Sequence, residues 1–355
     1  MALKIVKAEK LKEKAKGSEL GFGIRFTDHM FNMDYSPTKG WHNARIEPYG
    51  PVMMDPASMV LHYGQAIFEG LKAYRTKKGR IQLFRPRDNF VRLNNSASML
   101  CIPAIDSEFV LSALKKLLIL EQDWVPNLPG TSLYIRPAIV AMDPYLGVRP
   151  SHTYRFFIIL SPVGAYYPEG FNPVKIWVTD EYVRTVRGGL GMAKTPANYA
   201  ASLYAAEVAK EKGYTQVLWL DGVKQRYIEE VGTMNIFFRI DDTLVTPPLH
   251  GSILAGITRD SVIKLATRWD IPVEERPITI DEVMSSHEKG ILQEVFGSGT
   301  AAVISPVNEL AWSDRVITIQ YGDVGPVAKR LYKEITAIQY GEVEDPFGWV
   351  VSIEN

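Results

Sequence analysis

The stretch GGLGMAKT, residues 188–195, sets a lysine and a threonine at the end of a glycine-rich run, a combination familiar from nucleotide-binding loops. In the P-loop pattern G-x-x-x-x-G-K-[ST], backbone N–H groups curl around a phosphate while the lysine reaches its outer oxygens. Gly188, Lys194 and Thr195 fit that pattern. Ala193 stands where the last glycine belongs, and a Cβ is costly where the loop must turn through positive φ. A strand-like run precedes the motif, a helical run follows it, and VLWLD closes an apolar strand on Asp221 as a Walker B strand would. Pro196 and Asn198 nonetheless fall where the helix of a P-loop would begin. A phosphate clamp is therefore the lesser reading of Lys194.

The other chemistry open to a lysine is nucleophilic. With a free pKa of about 10.4, only about one amine in 2,500 is neutral at pH 7, so a reactive lysine needs desolvation or a Schiff base. Pyridoxal 5′-phosphate provides the carbonyl for one. Its site requires a carboxylate at the pyridine nitrogen, a phenol or similar donor at the ring oxygen, a cup for the phosphate, and a group for the substrate carboxylate. The chain offers a candidate for each. Metal chemistry has less support: His29 and His62 lack HxH or HExxH spacing, and one cysteine cannot build a multi-cysteine zinc site. Both histidines read as structural, no metal is expected, and Cys101, in the apolar SMLCIP, reads as a buried inert thiol.

The elements that must position these groups belong to a chain of 355 residues, long enough for two domains at roughly 150 residues each. With 46% hydrophobic and 23% charged residues, the composition is that of a globular protein. A formal net charge of zero gives no whole-molecule attraction to nucleic acid or an anionic membrane, so neither is expected as a partner. No apolar run is long enough to span a bilayer. The start, MALKIVKAEKLKEKAKGSEL, interleaves lysines with Glu9, Glu13 and Glu19 and lacks the marks of a targeting peptide. A solvated helix or frayed arm is expected there, and a cytoplasmic location.

Along the chain, HYGQAIFEGLKAY begins as a helical stretch, and IQLF is a short strand that breaks at Pro86. A helix with Phe90, Leu93, Ala97 and Leu100 on one side follows, then a second opening at Ser107. TSLYIRPAIVAM and YRFFIILSPVGAYY are strands by β-branched and aromatic content. Glycine and proline concentrate in GAYYPEGFNPVK. Beyond it come VKIWVTDEYVRTV, a helix NYAASLYAAEVAKEKG ending at Gly213, strands QVLWLDG and MNIFFRI, and a helix TRDSVIKLATRWD. Strands around the glycine-rich turn of EVFGSGTAAVISP and a last helix in GPVAKRLYKEITAIQYG complete the pattern. The expected organisation is an arm over 1–20, a small α/β domain over 21–165, a linker over 166–175, and a larger domain over 176–355.

In order and spacing, HYGQAIFEGLKAY, LFRP, TSLYIRPAI, KTPANYAASL, IEEVGTMNIFF, TPPLHGSILAGITRD and EVFGSGTAAVISP resemble branched-chain amino acid aminotransferases, pyridoxal-phosphate enzymes of fold type IV. The resemblance runs from about Phe22 to Trp349. It implies an α/β (α+β) fold of two domains with the cofactor in the cleft between them. Lys194 is then the Schiff-base lysine and proton shuttle, Glu230 the carboxylate at the pyridine nitrogen, and Tyr199 the hydroxyl at the ring oxygen. Glu229, next to Glu230 on a strand, would face the other way. Arg85, Ile257, Thr258 and Thr300 would form the phosphate cup, with Thr233 in the same shell. The substrate carboxylate would meet the backbone of Thr300 and Ala301, and Phe22, Tyr63, Phe68, Tyr134 and Tyr166 would line an aromatic pocket with Arg136 at its edge. Such a pocket would bury aliphatic side chains for roughly 1.5–3 kcal/mol each and still pair with glutamate's second carboxylate. The activity implied is reversible ping-pong transamination between leucine, isoleucine or valine and 2-oxoglutarate, by a homodimer.

Taken singly these residues have plainer readings: aromatics are core more often than site, and strand charges such as Glu230 and Arg136 are most often on the surface. Within the same fold class, a D-amino acid aminotransferase or aminodeoxychorismate lyase is the alternative, and HYGQAIFEG and YIRP favour the branched-chain enzyme. A pyridoxal-phosphate carrier without activity is disfavoured by the complete set of pocket residues. Pro196 and Ala197 stand where many family members have two glycines, which stiffens the lysine loop. Ala302 and Ser305 occupy positions of a redox-active C-x-x-C found in some animal members, so no such switch is expected.

Overall fold

The computed structural model of the protein describes residues 1–14, 20–164, 171–319 and 323–354. The chain divides into two compact units. The first comprises Met1–Tyr166 with two returning segments, Ala193–Pro196 and Ala337–Asn355; the second comprises Tyr167–Met192 and Ala197–Thr336. The tetrapeptide that carries Lys194 is thus one of the returns. Tyr166 and the first half of the expected linker, residues 166–170, lie outside the described residues.

The first unit contains β1 (Lys4–Ile5), β2 (His29–Ser36), β3 (Gly40–Pro48), β4 (Ala66–Phe68), β5 (Leu71–Arg75), β6 (Ile81–Phe84), β7 (Ser132–Ala141) and β8 (Tyr154–Val163), and takes its last strand, β18 (Val350–Ile353), from the chain's end. Among the described residues they form one sheet in the order β1-β3-β2-β8-β7-β5-β6-β18, with β4 also on β7. Alternation on β7 decides which face does what: Leu133, Ile135 and Ile139 are fully buried, whereas Tyr134 and Arg136, on the other face, are half-buried. The buried face packs on α2 (Pro86–Met99) and α3 (Ser107–Leu120), where Phe90, Leu93, Ala97, Leu114 and Leu118 complete the core.

Several local expectations are corrected here. HYGQAIFEGLKAY begins helical only through His62 and Tyr63, the last two residues of a short helix, α1 (Met59–Tyr63), which stops at Gly64 in a left-handed conformation; most of the rest is β4 and β5. Pro86 opens α2 at its first position rather than only breaking a strand, a place where its missing N–H costs nothing. The cap of α3 is Asp106, one residue before Ser107; its side chain accepts from the Phe109 N–H at 3.0 Å. Among the described residues the N-terminal arm holds no helix: β1 runs parallel to β3, and the Ala8 and Lys12 N–H groups donate to His29 Nε2 and Asp28 Oδ1, both at 2.7 Å. Cys101 is exposed, because the chain leaves α2 with Cys101 at a φ of 55°, which turns its side chain outward.

The second unit contains β9 (Val174–Thr179), α4 (Pro196–Ala200), α5 (Leu203–Glu211), β10 (Gln216–Leu220), β11 (Ile228–Val231), β12 (Met234–Ile240), β13 (Thr243–Thr246) and α6 (Ile257–Arg268). It continues with β14 (Val273–Glu275), α7 (Ile280–Glu288), β15 (Leu292–Gly299), β16 (Val303–Trp312), β17 (Arg315–Thr318) and most of α8 (Pro326–Gln339). Its sheet runs β11-β10-β9-β16-β15-β12-β13-β14 with β17 on β16, and β11 also pairs with β12, closing six strands into a ring. Trp219 of β10 packs on Ala205 and Ala209 of α5. The single helix expected over NYAASLYAAEVAKEKG is two, broken at Ala201–Ser202. Helix α7 has a side-chain N-cap that the periodicity argument passed over: Thr279 Oγ1 accepts from the Glu282 N–H at 3.1 Å, while the Glu282 carboxylate pairs with Arg276.

Candidate active site

Lys194 lies outside any strand or helix, in a short irregular segment between a run of turns and α4. That segment is held from two sides within the first unit. The Phe68 N–H donates to the Lys194 carbonyl at 3.0 Å, and Thr195 Oγ1 donates to the Ala66 carbonyl at 2.8 Å. From α2, Ser96 Oγ accepts from the Lys194 N–H at 2.9 Å. The glycines ahead of it differ in role: Gly188 turns the chain at a φ of 83°, whereas a Cβ on Gly191 would lie 2.0 Å from the Ser252 carbonyl oxygen, so only glycine allows that approach.

Around the lysine side chain the first unit gathers several of the expected residues. Lys194 Nζ stands 5.1 Å from the centroid of the Phe68 ring, and the Arg136 guanidinium 4.7 Å from the same ring. Arg136 Nη2 donates to Tyr134 Oη at 3.0 Å, and Phe22 meets the Tyr134 ring edge-on at 5.2 Å. Tyr134 and Arg136 are two apart on β7, which puts them on one face. A Cβ on Gly70 would lie 2.1 Å from Tyr134 Oη, so the glycine of FEG makes room for the phenol. Tyr63 stands apart: it is exposed and its hydroxyl donates to the Leu146 carbonyl. Arg85 takes the N-cap position of α2 with a φ of 53°; its Nε donates to Asp88 at 2.6 Å and its guanidinium lies over Trp349.

Beneath Phe68 lies a buried network that the sequence did not single out. Glu69 is fully buried and accepts from Arg92 Nε at 2.7 Å, Arg92 Nη2 at 2.9 Å and Asn89 Nδ2 at 2.8 Å. Burial pushes its carboxyl up, but Arg92 and then Lys194 outweigh that and hold it below the usual range. Asn89, Arg92 and Ser96 recur at i, i+3 and i+7 on α2, a polar ridge beside the apolar one. Nearby on β5, burial pushes the ammonium of Lys72, cross-strand from Tyr134, down to about 8.

In the second unit Tyr199, Glu230 and Thr233 line one cleft together with Arg184, Asn198 and Leu254. Glu230 is buried, ion-paired with Arg184, and accepts from Asn235 Nδ2 at 3.2 Å. Asn235 also donates to the Leu254 carbonyl at 2.9 Å, tying the loop before α6 to the strands. Arg184 and Asn235 escaped the sequence reading. The signal available was that a carboxylate inside IEEV needs a cation, and Arg184 sits among apolar neighbours in YVRTV. Glu229 faces away from Glu230 and accepts from Ser252 Oγ; burial first, and Glu230 beside it, push its pKa up to about 7.

Ile257 and Thr258 begin α6, whose N-terminus has no side-chain cap. Thr300 and Ala301 form the turn between β15 and β16, two residues beyond Ser298, whose buried hydroxyl lacks a partner among the described residues. The donor set fits pyridoxal phosphate: a buried carboxylate fixed by an arginine suits a protonated ring nitrogen, and an uncapped helix start suits a phosphate.

The comparisons with known proteins agree with that fit. Residues 66–310 match the amino-transferase class IV family. Branched-chain-amino-acid aminotransferase 2 of Bacillus subtilis (strain 168) is 58% identical over 342 residues, 96% of this chain and 94% of its own. The crystal structure of the Escherichia coli branched-chain amino acid aminotransferase is 30% identical with a TM-score of 0.78, covering 92% of this chain and 99% of its own. That of the branched-chain aminotransferase from the thermophilic archaeon Thermoproteus uzoniensis, with norvaline, is 26% identical with a TM-score of 0.76, covering 92% and 100%. The chain belongs to the class IV aminotransferase family, in its fold-type IV architecture.

Proposed function

We infer that this protein is a branched-chain amino acid aminotransferase dependent on pyridoxal 5′-phosphate, exchanging amino groups between leucine, isoleucine or valine and 2-oxoglutarate by a ping-pong route. The observation that carries the substrate class is the Phe68–Tyr134–Arg136 group beside Lys194: an apolar wall for an aliphatic side chain, with a cation and a phenol at its edge for a second carboxylate. When bound, the cofactor supplies an electron-withdrawing ring conjugated to the substrate nitrogen, which acidifies the α C–H. Lys194 Nζ anchors the cofactor and then moves the proton from the substrate α-carbon. Glu230, with Arg184 fixing its carboxylate, keeps the ring nitrogen protonated, and Tyr199 holds the ring oxygen. Arg85, the start of α6 at Ile257 and Thr258, and Thr300 bind the phosphate, with Thr233 supporting them. Phe22 and Phe68 keep water from the reacting carbon, and the backbone at Thr300 and Ala301 receives the substrate carboxylate.

Exposed Tyr63, which stands apart from that group, supports a homodimer in which it lines the other subunit's pocket. Tyr166 is proposed for the same lining. Among the described residues no helix is long and apolar enough to cross a membrane, which accords with the proposed cytoplasmic location. Neutral net charge supports small amino and oxo acids, rather than nucleic acid, as partners.

The test starts from purified protein. It should be yellow, lose its colour to borohydride with the label on Lys194, and convert L-leucine and 2-oxoglutarate to the oxo acid and glutamate. A colourless protein that binds ATP would sink the reading. Turnover of D-alanine alone would leave the family and overturn the substrate.

A further inference from the structure

The second unit has a cavity that the proposed reaction does not use. It measures about 310 Å³, and Glu229 lies in its wall. Because Glu229 and Glu230 are consecutive on β11, their side chains leave the strand on opposite faces, so this cavity and the cleft at Glu230 lie on different sides of it. Glu229 is 9% exposed, and among the described residues the Ser252 hydroxyl is its carboxyl's only hydrogen-bond donor. Arg184 acts on it as a charge, but among the described residues it is neither its hydrogen-bond nor its ion-pair partner, so the desolvated carboxyl keeps a demand for a cation or donor in contact with it. Burial accordingly pushes its pKa up to about 7.

The rest of the lining narrows what could answer that demand. Ile228, Ile253, Pro247, Pro248 and Pro277 give the cavity apolar walls. Asp221 adds a second negative charge: four backbone N–H groups, of Val223, Lys224, Arg226 and Tyr227, hold its carboxylate ionised and occupy its oxygens, so it favours a cation here without bonding one directly. Arg187 and His250 are exposed, and among the described residues neither side chain has a hydrogen-bond or ion-pair partner. The cavity therefore sets a buried carboxyl, an aliphatic wall and an exposed basic rim in one space. A dicarboxylate would meet Glu229 with like charge, and a hydrocarbon would leave that carboxyl unsatisfied. At the lower end of the size range for ligand pockets, the space suits one small molecule.

We propose that this cavity is a second binding site, for a zwitterionic aliphatic amino acid, with Glu229 holding the ammonium and Arg187 with His250 the carboxylate. The proposal is independent of which residues carry out transamination.

The probe is N,N-dimethyl-L-valine, a zwitterion whose tertiary amine cannot condense with the cofactor's carbonyl. Its binding to the holoenzyme is measured by isothermal titration calorimetry for the wild type, Glu229→Gln and Val223→Trp. The glutamine keeps an acceptor for Ser252 but loses the charge. Val223 is 84% exposed and lines the cavity, so a tryptophan there fills its space without disturbing the core. The expected result is saturable binding that each variant weakens by about tenfold or more, with the visible absorbance of the bound cofactor unchanged. Equal affinity in all three proteins overturns the proposal, as does absence of binding to the wild type at about 20 mM probe. If Glu229→Gln fails to fold, Val223→Trp decides alone: a tenfold loss supports the site and unchanged affinity refutes it.

Discussion

Two residues meet opposite electrostatic demands. Lys194 Nζ must bond to a carbonyl carbon and later carry a proton, and it is set against the Phe68 ring, with the Glu69–Arg92 pair beneath. Phe68 keeps water off one side, and the paired carboxylate adds charge without being free to react. Lys194→Ala removes both anchor and base, so transamination should fall by at least about 10⁴-fold, while thermal unfolding stays close to the wild type; assay and melting curve together check this. Glu229 poses the reverse case. Its pKa is raised from the ordinary 4.5 to about 7, so the folded state holds that proton more tightly than the unfolded chain. The stability this lends is fully present below about pH 4.5 and is lost as pH rises through 7, up to about 3 kcal/mol. Asp28, Asp143 and Asp221, held low by their partners, act in the opposite sense and lose their contribution as pH falls through the acid range. Glu229→Gln should therefore match the wild type at pH 5 and exceed it at pH 8 in melting temperature. Equal differences at both pH values would contradict the assignment.

At the scale of elements, α2 links several of these groups. Arg85 sits at its N-cap, Asn89 and Arg92 hold Glu69, and Ser96 holds the backbone of Lys194, all on a helix of 14 residues. Replacing Ser96 with alanine leaves the Lys194 N–H without its acceptor, at a cost of about 1–3 kcal/mol. The expected outcome is a lower melting temperature and faster loss of cofactor on dilution, both restored by Ser96→Thr. The apolar ridge of α2 was legible in the sequence because Phe90, Leu93 and Ala97 repeat with helical period. Its polar ridge was not, since Asn89, Arg92 and Ser96 look like a solvated face until a buried partner is known. Arg184 escaped for the same reason, as its role depends on a carboxylate 46 residues later in the chain, at Glu230. Long strands such as β7, β8 and β12 read correctly from β-branched and aromatic content. Short elements did not: α1 and β4–β5 share an apolar run too brief for its period to separate helix from strand. Long-range pairing also decides β1, which no local property of a lysine-rich arm predicts.

At the scale of the whole chain, the end of the sequence returns to complete the first unit. β18 pairs with β6 antiparallel over four residues, from Val350 against Phe84 to Ile353 against Ile81. Just before it, the Trp349 ring meets Phe84 edge-on and Phe347 face-on, its carbonyl accepts from the Arg85 N–H at 2.8 Å, and the Arg85 guanidinium lies over the ring at 5.1 Å. The end of the chain therefore does two things: β18 covers the edge of a sheet, and Trp349 just before it fixes both backbone and side chain of the arginine proposed to hold the cofactor phosphate. A protein ending at Asp345 would leave β6 with an unpaired row of N–H and C=O groups, a template for edge-to-edge association. It would also free Arg85 from its aromatic support, at a cost of about 0.5–2 kcal/mol. The truncated protein should bind the cofactor more weakly and form larger species at raised concentration, read by absorbance titration and light scattering. Trp349→Ala separates the two effects: it should weaken cofactor binding while leaving the edge paired and the size distribution unchanged. If it associated as the truncation does, Trp349 rather than the strand would be what protects the edge.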